Sequence, residues 1–447
     1  MYSNDRFQVP IPERWEDQST DEIGQFVNLD GNAHIYALAV EAAEVQDGIQ
    51  LALRAVYETF DQEPVQSNDV PLPGDTWTQN IYLLENGDLL AAVGRVQDDI
   101  TYVVAMQAPQ AVLVAETPAL NTVLLGYALT GSTSVTDRLP DYVDPDTFNE
   151  QDITIGEGEW ELPGTLTLPE GEGPFPAVVI VHGSGPNDRD GTLSANTPYR
   201  DLAQGLATQG IAVLRYDKRT LVYQSQLAAS TEAFTIDDEI TDDALAAVAA
   251  LREVDVVDTE RIFIMGHSLG AVLTPRIGAN DEALAGLILL AAPARAFDVT
   301  LREQIEYILS INPDNQQMGT ILALADRLQA IREGADAAAV FEGNEAQATY
   351  WRSLLEYDAV ATAQSLDLPM LILQGERDYQ VTMTDFDMWQ EALSADQRVT
   401  FRSYPALNHL FMALGDRDRL AIPEDYGELG FVDEQVVSDI AEWIESH

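Results

Sequence analysis

Gly266-His267-Ser268-Leu269-Gly270 sets a serine at the spacing G-x-S-x-G, and the apolar run Ile262-Phe263-Ile264-Met265 leads straight into it. A strand that turns sharply into a helix would present the Ser268 hydroxyl at the edge of a sheet, and side chains at the two glycines would collide with that turn. The chemistry on offer is nucleophilic attack on an acyl carbon. A glycine-rich turn with a helix-capping serine is the plainer alternative.

A serine hydroxyl needs a base to take its proton, and the base needs an acid to hold its tautomer. The sequence has five histidines. His447 is terminal, His34 lies in a separate N-terminal region, His182 ends an early strand, and His267 sits beside Ser268, pointing away from a base's approach. His409, in Leu407-Asn408-His409, follows the last strand pattern and precedes the last helix, the place of the base in the chain order Ser, acid, His. Asp378, in Gly375-Glu376-Arg377-Asp378, follows a strand on the carboxyl side of the sheet, whereas Asp367 precedes that strand. Glu376 is the nearest rival. Because His409 must be neutral to accept a proton, activity is expected to fall on acidification.

A tetrahedral intermediate also needs backbone N–H donors for its oxyanion. The amide of Leu269, at a helix N-terminus, is one candidate, and the amide of Ser184 in His182-Gly183-Ser184-Gly185-Pro186 is the other. Asn187-Asp188-Arg189-Asp190 and Tyr216-Asp217-Lys218-Arg219 are expected to pair with each other and fix the oxyanion loop. No metal-ligand spacing, G-x-G-x-x-G string or P-loop occurs, so the expected cofactor is none.

The elements that must carry these residues alternate. Apolar strand patterns at 177–181, 211–216, 261–265, 285–291, 370–374 and 399–404 are separated by helical ones at 199–209, 236–253, 269–278 and 384–393, with a closing helix at 433–444. That rhythm predicts a parallel sheet with helices on both faces. Helical patterns at 318–332 and 347–360 fill a gap from about 295 to 367. An insertion at the carboxyl ends of two strands lies over the place where such sheets bind ligands, so it is read as a cap. Residues 1–130 differ, with strand patterns at 34–40, 79–84, 89–96 and 100–106 and helical ones at 48–60 and 117–129. They predict a smaller α+β domain, read as a binding or scaffolding module for a polymer or partner protein. Residues 131–152, rich in Ser, Thr, Asp and Pro, read as a linker to the catalytic domain at 153–447.

Composition narrows the setting. The 447 residues hold 75 Asp and Glu against 23 Lys and Arg, a formal charge of -52, and Lys218 is the only lysine. Such a surface repels nucleic acid and anionic lipid, and stays hydrated where salt screens its self-repulsion. There is no cysteine, hence no disulfide and no thiolate chemistry. No apolar run is long enough for a membrane span, and residues 1–10 are not a signal peptide. Phe7-Gln8-Val9-Pro10-Ile11-Pro12 already reads as a domain start, so an exported protein whose signal has been removed is expected, with the cytoplasm of a salt-adapted organism as the alternative.

Taken in order, the segments around Gly183, Asp217, Ser268 and Asp378, with Leu407-Asn408-His409-Leu410-Phe411, resemble the α/β-hydrolase superfamily and within it the bacterial carboxylesterases of the EstD-like group. The resemblance spans about residue 150 to the end. It implies an α/β-hydrolase fold with a helical cap, a triad of Ser268, Asp378 and His409, and short-chain acyl esters as small-molecule substrates; acyl-peptide or amide hydrolysis would use the same triad. The first domain bears a fainter similarity to the PsbP-like and Mog1-like α+β fold.

Overall fold

A computed structural model describes every residue except 13–14, 58, 73–74, 98, 130–138, 195, 230–232, 314, 316 and 416. The residues divide into two compact units: Met1–Leu139 with Thr192–Asn196 and Tyr426–Leu429, and Pro140–Gly191 with Thr197–Asp425 and Gly430–His447.

The larger unit is built on eight strands: β1 (Phe148–Ile155), β2 (Leu162–Pro169), β3 (Phe175–Val181), β4 (Ala212–Tyr216), β5 (Val257–His267), β6 (Gly286–Leu290), β7 (Met370–Gly375) and β8 (Val399–Tyr404). Their order across the sheet is β1-β2-β4-β3-β5-β6-β7-β8, parallel from β4 onward, with β1 and β2 antiparallel at one edge. The stretch expected as a linker is therefore in part the edge strand β1. Its Asn149, Glu150, Gln151 and Asp152 face solvent on both sides, so no apolar alternation marks it as a strand. Positions 131–138 of that expected linker lie outside the described residues.

Central strands such as β3 are apolar on both faces because helices cover both. On one face Val179, Ile264, Leu287 and Ile372 share a core with α2 (Asp242–Arg252), α3 (Leu269–Asn280) and α8 (Met383–Leu393). Phe263, one residue out of step with Ile264, meets Trp443 of α9 (Glu434–Glu445) on the other face. The remaining sheet helix, α1 (Pro198–Thr208), joins β3 to β4. The helix expected over 236–253 opens in a π-helical turn, Asp237–Thr241, before α2 proper.

Between β6 and β7 the chain forms α4 (Phe297–Ile311), α5 (Gln317–Arg332), a short turn of helix at Ala337–Val340, α6 (Glu345–Leu355) and α7 (Ala359–Ser365). These pack around small cores of their own, one of them Leu328, Phe341 and Ala348. The α4 helix reaches the loop after β7. Gln304 donates to the Gln380 carbonyl at 2.8 Å, and Tyr307 stacks on Tyr379.

The strand order opens the sheet at one place. The chain passes from β3 outward to β4 and returns to β5 on the other side of β3, so the connections diverge at the carboxyl ends of β3 and β5, which pair as neighbours with Val181 opposite Gly266. Such a switch point leaves a crevice open to a ligand.

The smaller unit is a seven-stranded antiparallel sheet. Strand period two divides its core: Tyr36 and Leu38 meet Ile49 and Leu53 of helix Val45–Val56, while Ile35 and Ala37 share the opposite core with Leu120 and Val123 of helix Thr117–Leu125. The helix expected to run to 129 stops at Leu125, because Gly126 packs against Pro10 where a Cβ would sit 2.3 Å away. Ala128–Leu129 instead pairs with the strand Phe7–Val9 in a small three-stranded sheet. No helix among the described residues is long and apolar enough to cross a membrane.

Candidate active site

Strand β5 ends at His267, helix α3 begins at Leu269, and Ser268 between them has φ 55 and ψ -118. A side-chain-bearing residue adopts that conformation only where its surroundings impose it. The imposition comes from the flanking glycines. A Cβ at Gly266 would lie 2.1 Å from Thr274 Oγ1, and one at Gly270 would lie 2.3 Å from the Val181 carbonyl oxygen. The Ser268 amide donates to Leu290 at 2.9 Å, tying the turn to β6. No described residue accepts from the amides of Ser184 or Leu269, and the Ser268 hydroxyl has no hydrogen-bond partner among the described residues.

Asp378 and His409 come together although 31 residues separate them, with Nδ1 to Oδ2 at 2.6 Å and both side chains buried. The second Asp378 oxygen accepts from the amides of Gln380 at 2.7 Å and Val381 at 3.0 Å, so the carboxylate is held from both ends. Glu376 instead accepts from Ser403, and Asp367 pairs with Arg398 in solvent. The His409 loop is braced by Asn408, whose side chain accepts from the amides of Leu410 and Met412.

A second chain of bonds connects the Gly183 loop to the His409 loop. The Gly183 amide donates to the Tyr199 hydroxyl at 3.2 Å, Tyr199 meets His267 Nδ1 at 3.1 Å, and His267 Nε2 lies 2.9 Å from the His409 carbonyl. A carbonyl only accepts, so Nε2 carries the proton and the neutral ring accepts from Tyr199 through Nδ1. Burial above all, with His409 nearby, pushes the His267 imidazole down to about 3. His182 is likewise pushed to about 3 by burial and by Lys218, between the rings of Tyr199 and Tyr216. Burial leaves both rings neutral but only weakly basic, and the nitrogens of His267 are already committed to Tyr199 and the His409 carbonyl.

The charged loops pair as expected. Arg189 donates to both Asp217 oxygens at 3.1 and 3.0 Å, and Arg215 pairs with Asp190 and Glu150. Lys218 donates to the Gly183 carbonyl at 2.8 Å and pairs with Glu239 at 2.7 Å. Among the described residues no three His, Asp or Glu side chains converge as a metal site.

A family model described as serine aminopeptidase, S33 (Hydrolase_4), matches residues 174–417, more than half of the chain. The chain belongs to this S33 hydrolase family. The matched span opens beside β3 and runs past His409, so it contains Gly183, Ser268 and Asp378 as well. A relative, "Esterase EstD" from Thermotoga maritima, is 39% identical over 307 residues, covering 69% of this chain and 70% of its own. Among solved structures, an esterase from Pyrococcus furiosus is 16% identical over 67% of this chain and 91% of its own, with a TM-score of 0.41. Est1E from Butyrivibrio proteoclasticus is 16% identical over 66% and 99%, with a TM-score of 0.39.

In this family member, Tyr199, Asn408 and Glu239 are the site residues that sequence reasoning missed. Tyr199 and Glu239 act across the fold on partners distant in sequence, for which no local pattern exists. Asn408, next to His409, carried the one available signal: an Asx residue whose side chain can cap the turn it opens.

Proposed function

We propose that this S33 hydrolase is a serine carboxylic-ester hydrolase acting on short-chain acyl esters. Ser268 Oγ attacks the acyl carbon as its proton passes to His409 Nε2, and the carbonyl oxygen becomes an oxyanion held by the amides of Ser184 and Leu269. The C–O bond to the alcohol then breaks, and the alcohol leaves with the proton from His409. Water gives a proton to His409 and attacks the acyl-enzyme, the proton returns to Ser268, and the carboxylic acid departs. Asp378 holds His409 in the tautomer with the proton on Nδ1.

One observation carries the reading: the buried 2.6 Å pairing of His409 with Asp378, in a loop whose His409 carbonyl is bonded by His267, the residue before a serine held at positive φ, with the amides of Ser184 and Leu269 left without acceptors among the described residues. Hydrogen bonds between nucleophile and base are often long before substrate arrives, which accounts for a Ser268 hydroxyl without a partner. The 39% identical relative, named an esterase, supports ester over amide substrates.

Turnover of p-nitrophenyl acyl esters of graded chain length, set beside the matching anilides, tests this. Rates highest on acetate or butyrate and absent in Ser268→Ala are expected. Anilide hydrolysis exceeding ester hydrolysis would replace the reading with amidase activity.

A further inference from the structure

The Gly183 carbonyl and the Ser184 amide belong to one planar peptide unit, so whatever fixes the oxygen also fixes the direction of the N–H. Lys218, 1% exposed, donates to that carbonyl at 2.8 Å, and the Asn187 side chain reaches the same oxygen at 3.1 Å. The Lys218 ammonium is held in turn by buried Glu239 at 2.7 Å. The second Glu239 oxygen accepts from the Tyr350 hydroxyl of α6 at 2.5 Å. A cation on a peptide oxygen draws density from the peptide nitrogen and strengthens its N–H as a donor.

The composition points the same way. Every other cationic side chain in the sequence is arginine. An ammonium radiates three donors from one atom, whereas a guanidinium spreads its donors over a plane. The lone lysine stands where one compact charge must meet a carbonyl and a carboxylate together.

We propose that Lys218 is a positioning residue that locks and polarises the Gly183–Ser184 peptide, so that the Ser184 amide is aimed at the oxyanion; this rests on the ester-hydrolase reading. Lys218 touches neither substrate nor reacting atoms. Glu239 and Tyr350 hold it in place, so the oxyanion donor is anchored to a helix of the insertion as well as to the sheet.

The test compares Lys218→Met, Lys218→Met/Glu239→Gln and Ser268→Ala on p-nitrophenyl acetate, with Tm measured alongside. Lys218→Met is expected to lower kcat about 10²-fold with KM within about twofold, the scale of losing one oxyanion donor. It also lowers Tm, because Glu239 is left buried without its counter-charge. The double variant removes that stray charge, so Tm recovers while kcat stays low. Affinity for a trifluoromethyl ketone, which forms a tetrahedral adduct on serine, falls in step with kcat/KM. Recovery of kcat together with Tm in the double variant would overturn the proposal, leaving Lys218 as a mere counter-ion for Glu239. A change in KM alone would overturn it too. Full turnover by Ser268→Ala would instead remove the ester-hydrolase reading, so the two failures are told apart.

Discussion

In the smaller unit the buried polar side chains are Asn28, Asn80, Thr101 and Asn196, all neutral, whereas every charged side chain buried among the described residues belongs to the larger unit. Burying charge is expensive even when it is paired, and a hydrophobic replacement often serves stability as well or better. A chain that keeps its interior neutral in one unit and admits Arg189, Arg215, Lys218, Asp217, Glu239 and Asp378 in the other is retaining those charges for geometry. They lie at or close to the carboxyl ends of β3, β4 and β7, or hold the residues that do. The smaller unit shows that the same chain can fold a compact unit without burying a charged side chain among its described residues.

Substitutions that strike one side of this contrast should leave the other intact. Ser268→Ala is expected to cut kcat by about 10⁶-fold with Tm nearly unchanged. Asp378→Asn comes next at about 10⁴-fold, since an amide permits the wrong imidazole tautomer. Glu376→Gln should stay within about twofold, and equal losses from the two substitutions would reassign the acid. In the smaller unit, Leu53→Ala should cost about 3 kcal/mol of stability in that unit while leaving kcat on p-nitrophenyl acetate within about twofold. A large loss of kcat there would break the division of labour.

The gentlest probe is Asp201, which burial pushes up to about 7, with Asp190 adding to the rise and the Val432 amide, Arg200 and Arg215 opposing it. An ordinary aspartate loses its proton near pH 4. As pH climbs from about 4 to about 7 the native form therefore holds a proton that the unfolded chain has released, and stability drains away; above about 7 the whole cost is present. Asp201→Asn removes that cost and should raise Tm by a few degrees at pH 8 and by less at pH 5. An equal gain at both would mean that the side chain's charge is not what matters.

Much of the larger unit is legible in the sequence because its signals are local. Central parallel strands are continuous apolar runs, and the placement of Ser268, Asp378 and His409 behind β5, β7 and β8 follows from counting them. Choosing Asp378 over Glu376 rested on position alone, and the structure brings Asp378 to His409 through the turn that Gln380 and Val381 close on it. What local patterns could not show is either exposed or distant. Strand β1 is too polar on both faces to announce itself, and the helix expected through 129 kept its apolar stripe past the glycine that ends it. The partners of Lys218 had no local signal either: the lysine reaches back to Gly183 and forward to Glu239, each about twenty or more residues away in sequence.

That solitary lysine also makes the molecule its own reporter. A lysine-specific endoprotease has one target side chain in 447 residues, and it is sealed beneath the peptide it holds. The folded protein should resist cutting, and any opening of the loop after β4 should yield only residues 1–218 and 219–447. Cleavage rate would then read how often that one corner comes apart, with no label attached.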